Sequence, residues 1–135
     1  MSEYKKPLPE PTTLTQPFWD GIRQHKLLVQ KCASCGKLRH TPKPLCSDCL
    51  SQEYTWIPLS GQGQVYSYTV MHRAPASSFE GELPYVVALV ELKEGVRMIS
   101  NLVRCTPQQV RVGMPVHVVY EDVTDQASLF KFAPA

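Results

Sequence analysis

The chain has 135 residues, of which 14 are basic and 12 acidic, so its formal net charge is only +2. This length suits one domain, or a small module joined to one small domain. No stretch approaches the ~18 consecutive apolar residues that a membrane-spanning helix requires. The chain also starts without an apolar leader, so we expect a cytoplasmic protein with no membrane association.

The charge is distributed unevenly along the chain. Residues 21–47 contain six basic side chains and no acidic one, whereas residues 48–135 contain six basic and nine acidic side chains. A positive segment beside a mildly acidic one favours binding of phosphates or of an acidic partner surface. The basic residues are explained equally well by simple exposure, since this segment has little core.

The N-terminal part predicts an arm followed by a docking helix. Residues 1–14 are rich in proline and charge, which is typical of a segment without packed structure. The next segment, TQPFWDGIRQHK, predicts a short helix over about residues 15–25, with Thr15 as N-cap and Pro17 in the first turn.

An apolar stripe runs along this predicted helix at Phe18, Trp19 and Ile22. A helix this short is marginal alone and must dock on another surface. The stripe could pack on the following ribbon segment or contact a partner protein, and we favour the partner because that segment offers little surface for burial.

Two C-x-x-C pairs come next, and together they provide Cys32, Cys35, Cys46 and Cys49. Two such pairs on facing turns place four thiolates around one ion, which predicts a structural Zn2+ site, with iron as the alternative ion. Redox dithiols and disulfides are the other interpretations. A redox pair usually sits alone near a βαβ pattern, and disulfides need a secretory context. Four thiolates close the coordination shell, so we expect no catalytic role for the metal.

Four further residues near or beyond these pairs carry smaller predictions. Gly36 follows the first pair, where a positive φ is convenient, and Leu50 takes the matching place after the second pair. We expect His40 at the surface, since four cysteines already satisfy the ion. Cys105 ends a predicted strand, so we expect a buried or half-buried free thiol.

From residue 53 onward the sequence reads as a small β-barrel. QVYSYTVMHR and PVHVVYEDV alternate, PYVVALVEL is a continuous apolar run expected to be buried on both faces, and VRMISNLVRC and SLFKFAP complete the set. TPQQVRVG predicts a short helical turn capped by Thr106, with Gly113 beyond its end. Five strands with a helical turn before a late strand predict an OB-type barrel.

The predicted fold is therefore mainly β, with an N-terminal helix, a zinc ribbon and a five-stranded OB-fold barrel. We expect three units: an N-terminal arm and docking helix at residues 1–25, a zinc ribbon at 26–52 and an OB-fold domain at 53–135.

Several segments together are more specific than the cysteines alone: FWDGI, LVQKCASCGKLRHTPKPLCSDC, GQGQVYSYTVMHR, PYVVALVEL, SNLVRC and VGMPVHVVYEDV. Over almost the whole chain they resemble the acyl-CoA-associated proteins that join a rubredoxin-like zinc ribbon to an OB-fold, a family long catalogued as a domain of unknown function. The resemblance implies a noncatalytic subunit of a hetero-oligomer. Its partner would be a thiolase-like enzyme, or alternatively an acyl-CoA hydratase or aldolase, and it would stabilise that partner and help to bind or guide the CoA thioester.

The residues agree with a noncatalytic subunit, since no Cys–His pairing or glycine-rich phosphate loop is visible. His72 and Arg73 end a predicted barrel strand just before a loop, and loops at one end of an OB barrel often form the ligand mouth. They are our candidates for a CoA-facing or partner-facing edge, and an ordinary solvated strand end is the alternative. Arg97 and Arg104 lie on a predicted strand, and either could meet a phosphate, although we favour the interpretation that both are ordinary surface charges.

Two other functions compete with this one. OB-folds and zinc ribbons bind single-stranded nucleic acid through basic grooves and stacked aromatics, here Tyr54, Trp56, Tyr66 and Tyr68. The net acidic barrel segment argues against nucleic acid. The third possibility is a pure scaffold that docks through its N-terminal helix without touching substrate.

Overall fold

A computed structural model describes residues 6–135, so the first five residues of the predicted arm lie outside the described residues. Within that range the chain forms one α-helix and eight strands, which are α1 (Gln16–Arg23), β1 (Leu28–Cys32), β2 (Leu38–Arg39), β3 (Tyr54–Pro58), β4 (Gln62–Met71), β5 (Tyr85–Leu92), β6 (Arg97–Leu102), β7 (Pro115–Asp122) and β8 (Ser128–Pro134). Two short 3-10 helices span Ser77–Glu82 and Pro107–Gln109. The mainly β fold class is confirmed.

Five strands close the barrel in the order β4-β5-β6-β8-β7. Neighbouring strands are antiparallel, except that β6 and β8 pair in parallel where Leu102 meets Phe132. A single parallel contact is what closes this five-stranded sheet into a barrel, so the predicted OB-type architecture is confirmed.

The apolar run of β5 is buried on one face only, which corrects the expectation that both faces are covered. Val86, Ala88, Val90 and Leu92 are at most 2% exposed, whereas the residues between them are half-buried. A barrel strand turns alternate side chains inward and outward, so a continuous apolar sequence still has one outer face.

The predicted helical turn before β7 is confirmed as the 3-10 helix Pro107–Gln109. The backbone N–H of Thr106 donates to the side-chain oxygen of Gln109 at 2.8 Å, which satisfies a backbone donor at the start of the turn. Gly113 follows with φ of 88°, a conformation that glycine adopts at little cost.

The ribbon has its own three-stranded sheet in the order β2-β1-β3. β3 pairs with β1 along its whole length, from Leu28 opposite Pro58 to Cys32 opposite Tyr54. This pairing makes residues 54–58 part of the ribbon sheet, whereas the sequence-based division starts the barrel unit at residue 53. The division into three units stays a prediction.

Helix α1 packs on the protein itself, which corrects the expectation that its apolar stripe contacts a partner. Phe18 and Ile22 are 2% and 0% exposed and belong to the main apolar cluster, while Trp19 is half-buried. The ring of Phe18 meets Phe130 of β8 edge-on at 5.6 Å between centroids. Strand β8 supplies the apolar surface that the ribbon lacks.

The helix also begins one residue later than its predicted start and ends two residues earlier. Thr15 stands at the N-cap position, but its side chain makes no cap hydrogen bond to the helix. Its Oγ1 instead accepts the backbone N–H of Thr12 at 2.8 Å, so this side chain fixes the turn that enters α1.

His40 is half-buried, which corrects its expected surface position. Its ring lies 5.1 Å from that of Phe18 and 6.5 Å from that of Phe130, between centroids. Burial among these rings disfavours the charged imidazolium and lowers the pKa of His40 to about 4. The imidazole is therefore neutral at pH 7 and acts as a packing group between ribbon and barrel.

Replacement of Phe18 tests whether α1 is part of the core. Phe18→Ala should lower the free energy of unfolding by about 3 to 5 kcal/mol, because it empties a buried site beside Phe130. Chemical denaturation of the metal-loaded chain measures this change. Arg23→Ala, an exposed change in the same helix, should stay within about 0.5 kcal/mol. Equal stability of Phe18→Ala and the parent chain would refute the packing role.

The low pKa of His40 predicts an acid-sensitive fold. The unfolded histidine takes up its proton near pH 6.5 and the folded one near pH 4, so the folded state loses stability as the pH falls between these values. The loss attributable to His40 should be about 3 kcal/mol, since one pKa unit corresponds to roughly 1.4 kcal/mol. It is read as the difference in unfolding free energy between the parent chain and His40→Gln, measured at a series of pH values. Parallel pH profiles would contradict the assignment.

Candidate metal centre

The structure brings the four predicted cysteines together. The sulfur atoms of Cys32, Cys35, Cys46 and Cys49 all lie within 4.8 Å of one another. Cys32 Sγ is 3.5 Å from Cys49 Sγ, and Cys35 Sγ is 3.6 Å from Cys46 Sγ. Four thiolates at ordinary zinc–sulfur bond lengths stand about 3.8 Å apart on a tetrahedron. The four side chains thus have the spacing and the soft sulfur donors that fit a tetrahedral ion.

Both pairs sit on the same kind of turn. The N–H of Gly36 donates to the carbonyl of Cys32 at 3.0 Å, and the N–H of Leu50 donates to the carbonyl of Cys46 at 2.9 Å. Gly36 has φ of 78°, as its position after the pair predicts, and Leu50 takes φ of 63° without the freedom of glycine. The hydrogen-bonded turn around the second cysteine pair therefore holds Leu50 in a strained backbone conformation.

Backbone amides prepare one thiol of each pair for ligation. Hydrogen bonding from the backbone of Cys35 lowers the pKa of Cys32 to about 6. The backbone of Cys49 lowers the pKa of Cys46 in the same way. Since metals bind thiolates, these amides favour the form that coordinates.

A lysine lies beside the sulfur cluster. Lys37 Nζ donates to Asp48 Oδ1 at 2.9 Å and to Ser47 Oγ at 3.1 Å. The hydrogen bond to Asp48 raises the pKa of Lys37, and the nearby Cys46 and Cys35 add to this effect. The ammonium group therefore partly offsets the −2 formal charge of a metal with four thiolates.

The segment between the two pairs is fixed by a buried polar network that sequence reasoning missed. Gln30 is fully buried, and its side-chain oxygen accepts Arg39 Nε at 2.7 Å and the backbone N–H of Lys43 at 2.8 Å. Arg39 is only 8% exposed and also donates to the carbonyl of Lys43 at 2.9 Å. The only available signal was the run of basic residues in this segment, which does not show which side chain is buried.

His72 and Arg73 follow β4 directly, and both are exposed. Within residues 6–135, neither side chain forms a hydrogen bond or an ion pair. Their position at a barrel strand end matches the sequence-based expectation, and a CoA-facing or partner-facing role stays a prediction. Cys105 is a half-buried free thiol, as expected, and burial raises its pKa. A raised pKa makes it a poor nucleophile.

Among residues 6–135, no helix is long and apolar enough to cross a membrane.

Comparison with known proteins gives two family models that lie side by side on the chain. Residues 19–55 match the rubredoxin-like zinc ribbon domain of ChsH2, and residues 56–121 match the C-terminal OB-fold domain of ChsH2. The ribbon match contains all four clustered cysteines. The four residues are therefore positioned to bind a metal within a zinc ribbon domain.

Curated relatives of the chain come from bacteria and archaea. A probable enoyl-CoA hydratase alpha subunit of Thermomonospora curvata is 44% identical over 119 residues, which are 87% of this chain and 37% of that protein. A DUF35 domain-containing scaffold protein of Methanocaldococcus jannaschii is 37% identical over 109 residues, 79% of this chain and 77% of the relative. A benzoylsuccinyl-CoA thiolase subunit BbsA of Geobacter metallireducens is 32% identical over 72 residues, 53% of this chain and 47% of the relative. The chain thus spans just over a third of the hydratase subunit that it matches.

Among solved structures, a chain of the Ltp2-ChsH2(DUF35) aldolase is similar over nearly its whole length. It superposes with a TM-score of 0.85 at 40% identity, covering 93% of this chain and 98% of that chain.

Removal of one buried ligand tests the metal centre. Cys46→Ser should lose the bound metal and unfold the ribbon, because three thiolates hold the ion less tightly and little apolar core replaces it. Elemental analysis of the parent chain should find one ion per chain, and amide hydrogen exchange should show loss of protection in residues 28–58 of the variant. Cys105→Ser is the matched control and should retain full metal content. Stoichiometric metal in Cys46→Ser would contradict the four-sulfur site.

Proposed function

Because the chain belongs to the ChsH2 (DUF35) family, which joins a rubredoxin-like zinc ribbon to an OB-fold barrel, we propose that it is a noncatalytic subunit of an acyl-CoA-transforming hetero-oligomer. The partner we favour is a thiolase-like enzyme, and an acyl-CoA hydratase or aldolase is the alternative. In this role the chain stabilises the partner and helps to bind or guide the CoA thioester.

The observation that carries this proposal is the match to the Ltp2-ChsH2(DUF35) aldolase, in which nearly all of both chains corresponds at 40% identity. The relatives are named as a subunit of an enoyl-CoA hydratase and as a subunit of benzoylsuccinyl-CoA thiolase. Relatives named for two different CoA enzymes thus match this chain in sequence, which supports an auxiliary role common to both.

The metal centre supports a structural role for the ion. We propose that the ion is Zn2+, and when bound it supplies shape to the ribbon, because four thiolates leave no open coordination position for a substrate. Cys32, at the end of β1, and Cys46, in the second C-x-x-C turn, are buried. This chain's own residues therefore shield two of the four sulfur atoms from water. The activity we assign to the chain is therefore positioning.

A long and flexible thioester reacts faster when it is held in one geometry, because this lowers the entropic part of the barrier. The chain can therefore contribute to the reaction by positioning the substrate. His72 and Arg73 are exposed and without partners among residues 6–135, so they are available to a phosphate or to an acidic side chain of the partner. We propose that they face the CoA thioester at the shared interface.

Single-stranded nucleic acid is a weaker candidate ligand. Tyr54 and Trp56 lie on β3 of the ribbon sheet, whereas Tyr66 and Tyr68 lie on β4 of the barrel. Arg39 covers the ring of Tyr54, at 5.0 Å to the centroid, and an arginine of β6 covers that of Tyr66, at 3.8 Å. Aromatic faces that are already paired with arginine disfavour a continuous stacking platform.

A pull-down with the metal-loaded chain from its native host tests the proposal. A thiolase-like enzyme should be recovered, and that enzyme should lose activity or solubility when produced without this chain. The alternative partners would appear in the same experiment as a hydratase or an aldolase. A partner that runs at full rate alone would overturn the role assigned to the chain.

The CoA-facing edge has its own measurement within the complex. His72→Ala combined with Arg73→Ala should raise the KM for the acyl-CoA several-fold, since a charge-assisted contact is lost while the complex stays assembled. Arg111→Ala, another exposed arginine of the barrel, is the matched control. An unchanged KM in an intact complex indicates a pure scaffold that does not touch the substrate.

A further inference from the structure

A cavity of about 430 Å³ lies between the ribbon and the barrel. On the ribbon side, β2 and the segment after it form its wall, with Arg39, His40 and Lys43. On the barrel side, the wall is the turn between β5 and β6, with Gly95 and Arg97. Its residues come from segments that are distant in sequence, so the fold itself creates this site.

Four basic side chains line the cavity, and no acidic residue does: Lys37, Arg39, Lys43 and Arg97. Two of the four have carboxylate partners outside the lining. Lys37 pairs with Asp48 at 2.9 Å, and Arg97 pairs with Glu91 at 3.1 Å.

The other two charges, on Arg39 and Lys43, have no ion pair among residues 6–135. The neighbouring His40 adds no charge at neutral pH, because burial lowers its pKa to about 4. The cavity thus carries an excess of two positive charges.

Arg39 is the second and independent sign of a ligand. It is more than nine-tenths buried, its Nε and Nη2 atoms donate only to neutral oxygens, and its Nη1 atom is buried without an acceptor, as is Nε2 of the neighbouring Gln30. A guanidinium buried without a counter-charge is unfavourable, so an anion bound beside Arg39 at the cavity wall would offset part of this desolvation. The hydrogen bond that Arg39 donates to the Gln30 side-chain oxygen, together with the ring of Tyr54, holds the charge in place before any ligand arrives.

We propose that this cavity binds the phosphate group of a phosphate ester. A phosphate monoester is a dianion near neutral pH, which matches the two uncompensated charges. Arg39 provides the fixed charge, and the flexible Lys43 closes on the oxygens from the exposed side. CoA carries such a phosphate, and this identification of the source rests on the proposed function, while a free nucleotide has the same chemistry.

Titration of inorganic phosphate into the metal-loaded full chain tests the site. Amide NMR signals of residues 38–43 and 95–97 should shift at low ionic strength, where surface charge is least screened. Lys43→Gln should weaken this binding on the order of tenfold, because one charge-assisted hydrogen bond is lost. The Lys43 side chain is exposed, so the variant keeps the fold. Arg39→Gln should abolish binding, with metal content checked to show that the ribbon is intact.

Lys26→Gln, an exposed lysine outside the cavity, is the matched control and should leave the affinity unchanged. Shifts that fade equally in both lysine variants would show nonspecific attraction and overturn the proposal. If the amide NMR signals of the cavity residues do not shift when phosphate is added, the proposal is also overturned. Protection of these amides by a partner protein alone, with no response to phosphate, would assign the cavity to a carboxylate of that partner and also refute the proposal.

Titrations with CoA and with dephospho-CoA identify the source of the phosphate. Tighter binding of CoA, lost in Lys43→Gln, supports the site and assigns it the 3′-phosphate of CoA. A cavity that responds to inorganic phosphate and to neither of these compounds also supports the phosphate site, with a source other than CoA. The proposed subunit role is tested separately by the pull-down, so failure of one does not imply failure of the other.

Discussion

The sulfur cluster is the constraint on which the rest of the structure depends. Cys32 is the last residue of β1, and the same strand carries Val29, which is buried in the main apolar cluster. Fixing the sulfur end of β1 therefore fixes where its apolar residues point. Strand β3 then pairs with β1. The N–H of Leu59, between β3 and the first barrel strand, donates to the carbonyl of Leu27 at 2.8 Å. The metal site thus sets the direction in which the chain enters the barrel.

Ribbon and barrel share one apolar cluster, although the sequence divides them cleanly. Phe18 and Ile22 of α1 and Leu27 beside β1 join the same cluster as the barrel residue Phe132. His40 fills the joint as a neutral ring, because burial lowers its pKa to about 4 and so disfavours the imidazolium. Because burial is continuous across the joint, the two units support each other and hold a fixed relative position.

Local sequence patterns predicted the elements whose signal lies within a few residues. The cysteine spacing, the glycine after the first pair, the alternating strands and the turn at Thr106 are of this kind. The patterns failed for Phe18 and His40, because both pack against Phe130, which lies 112 residues beyond Phe18 and 90 residues beyond His40. Arg39 was missed for a different reason: its burial depends on pairing between β1 and β2, and a strand of two residues has no periodicity to detect.

Charge in the ribbon becomes informative only after the fold distributes it. Lys37 is turned toward Asp48 and the thiolates, where its charge is partly offset. Arg39, two residues on, points to neutral oxygens and keeps its charge unbalanced. Strand β2, which carries Arg39, lies between the two cysteine pairs, so a metal bound by both pairs would also fix this buried charge. In the proposed phosphate site, a structural ion would therefore orient the buried arginine without contacting the anion.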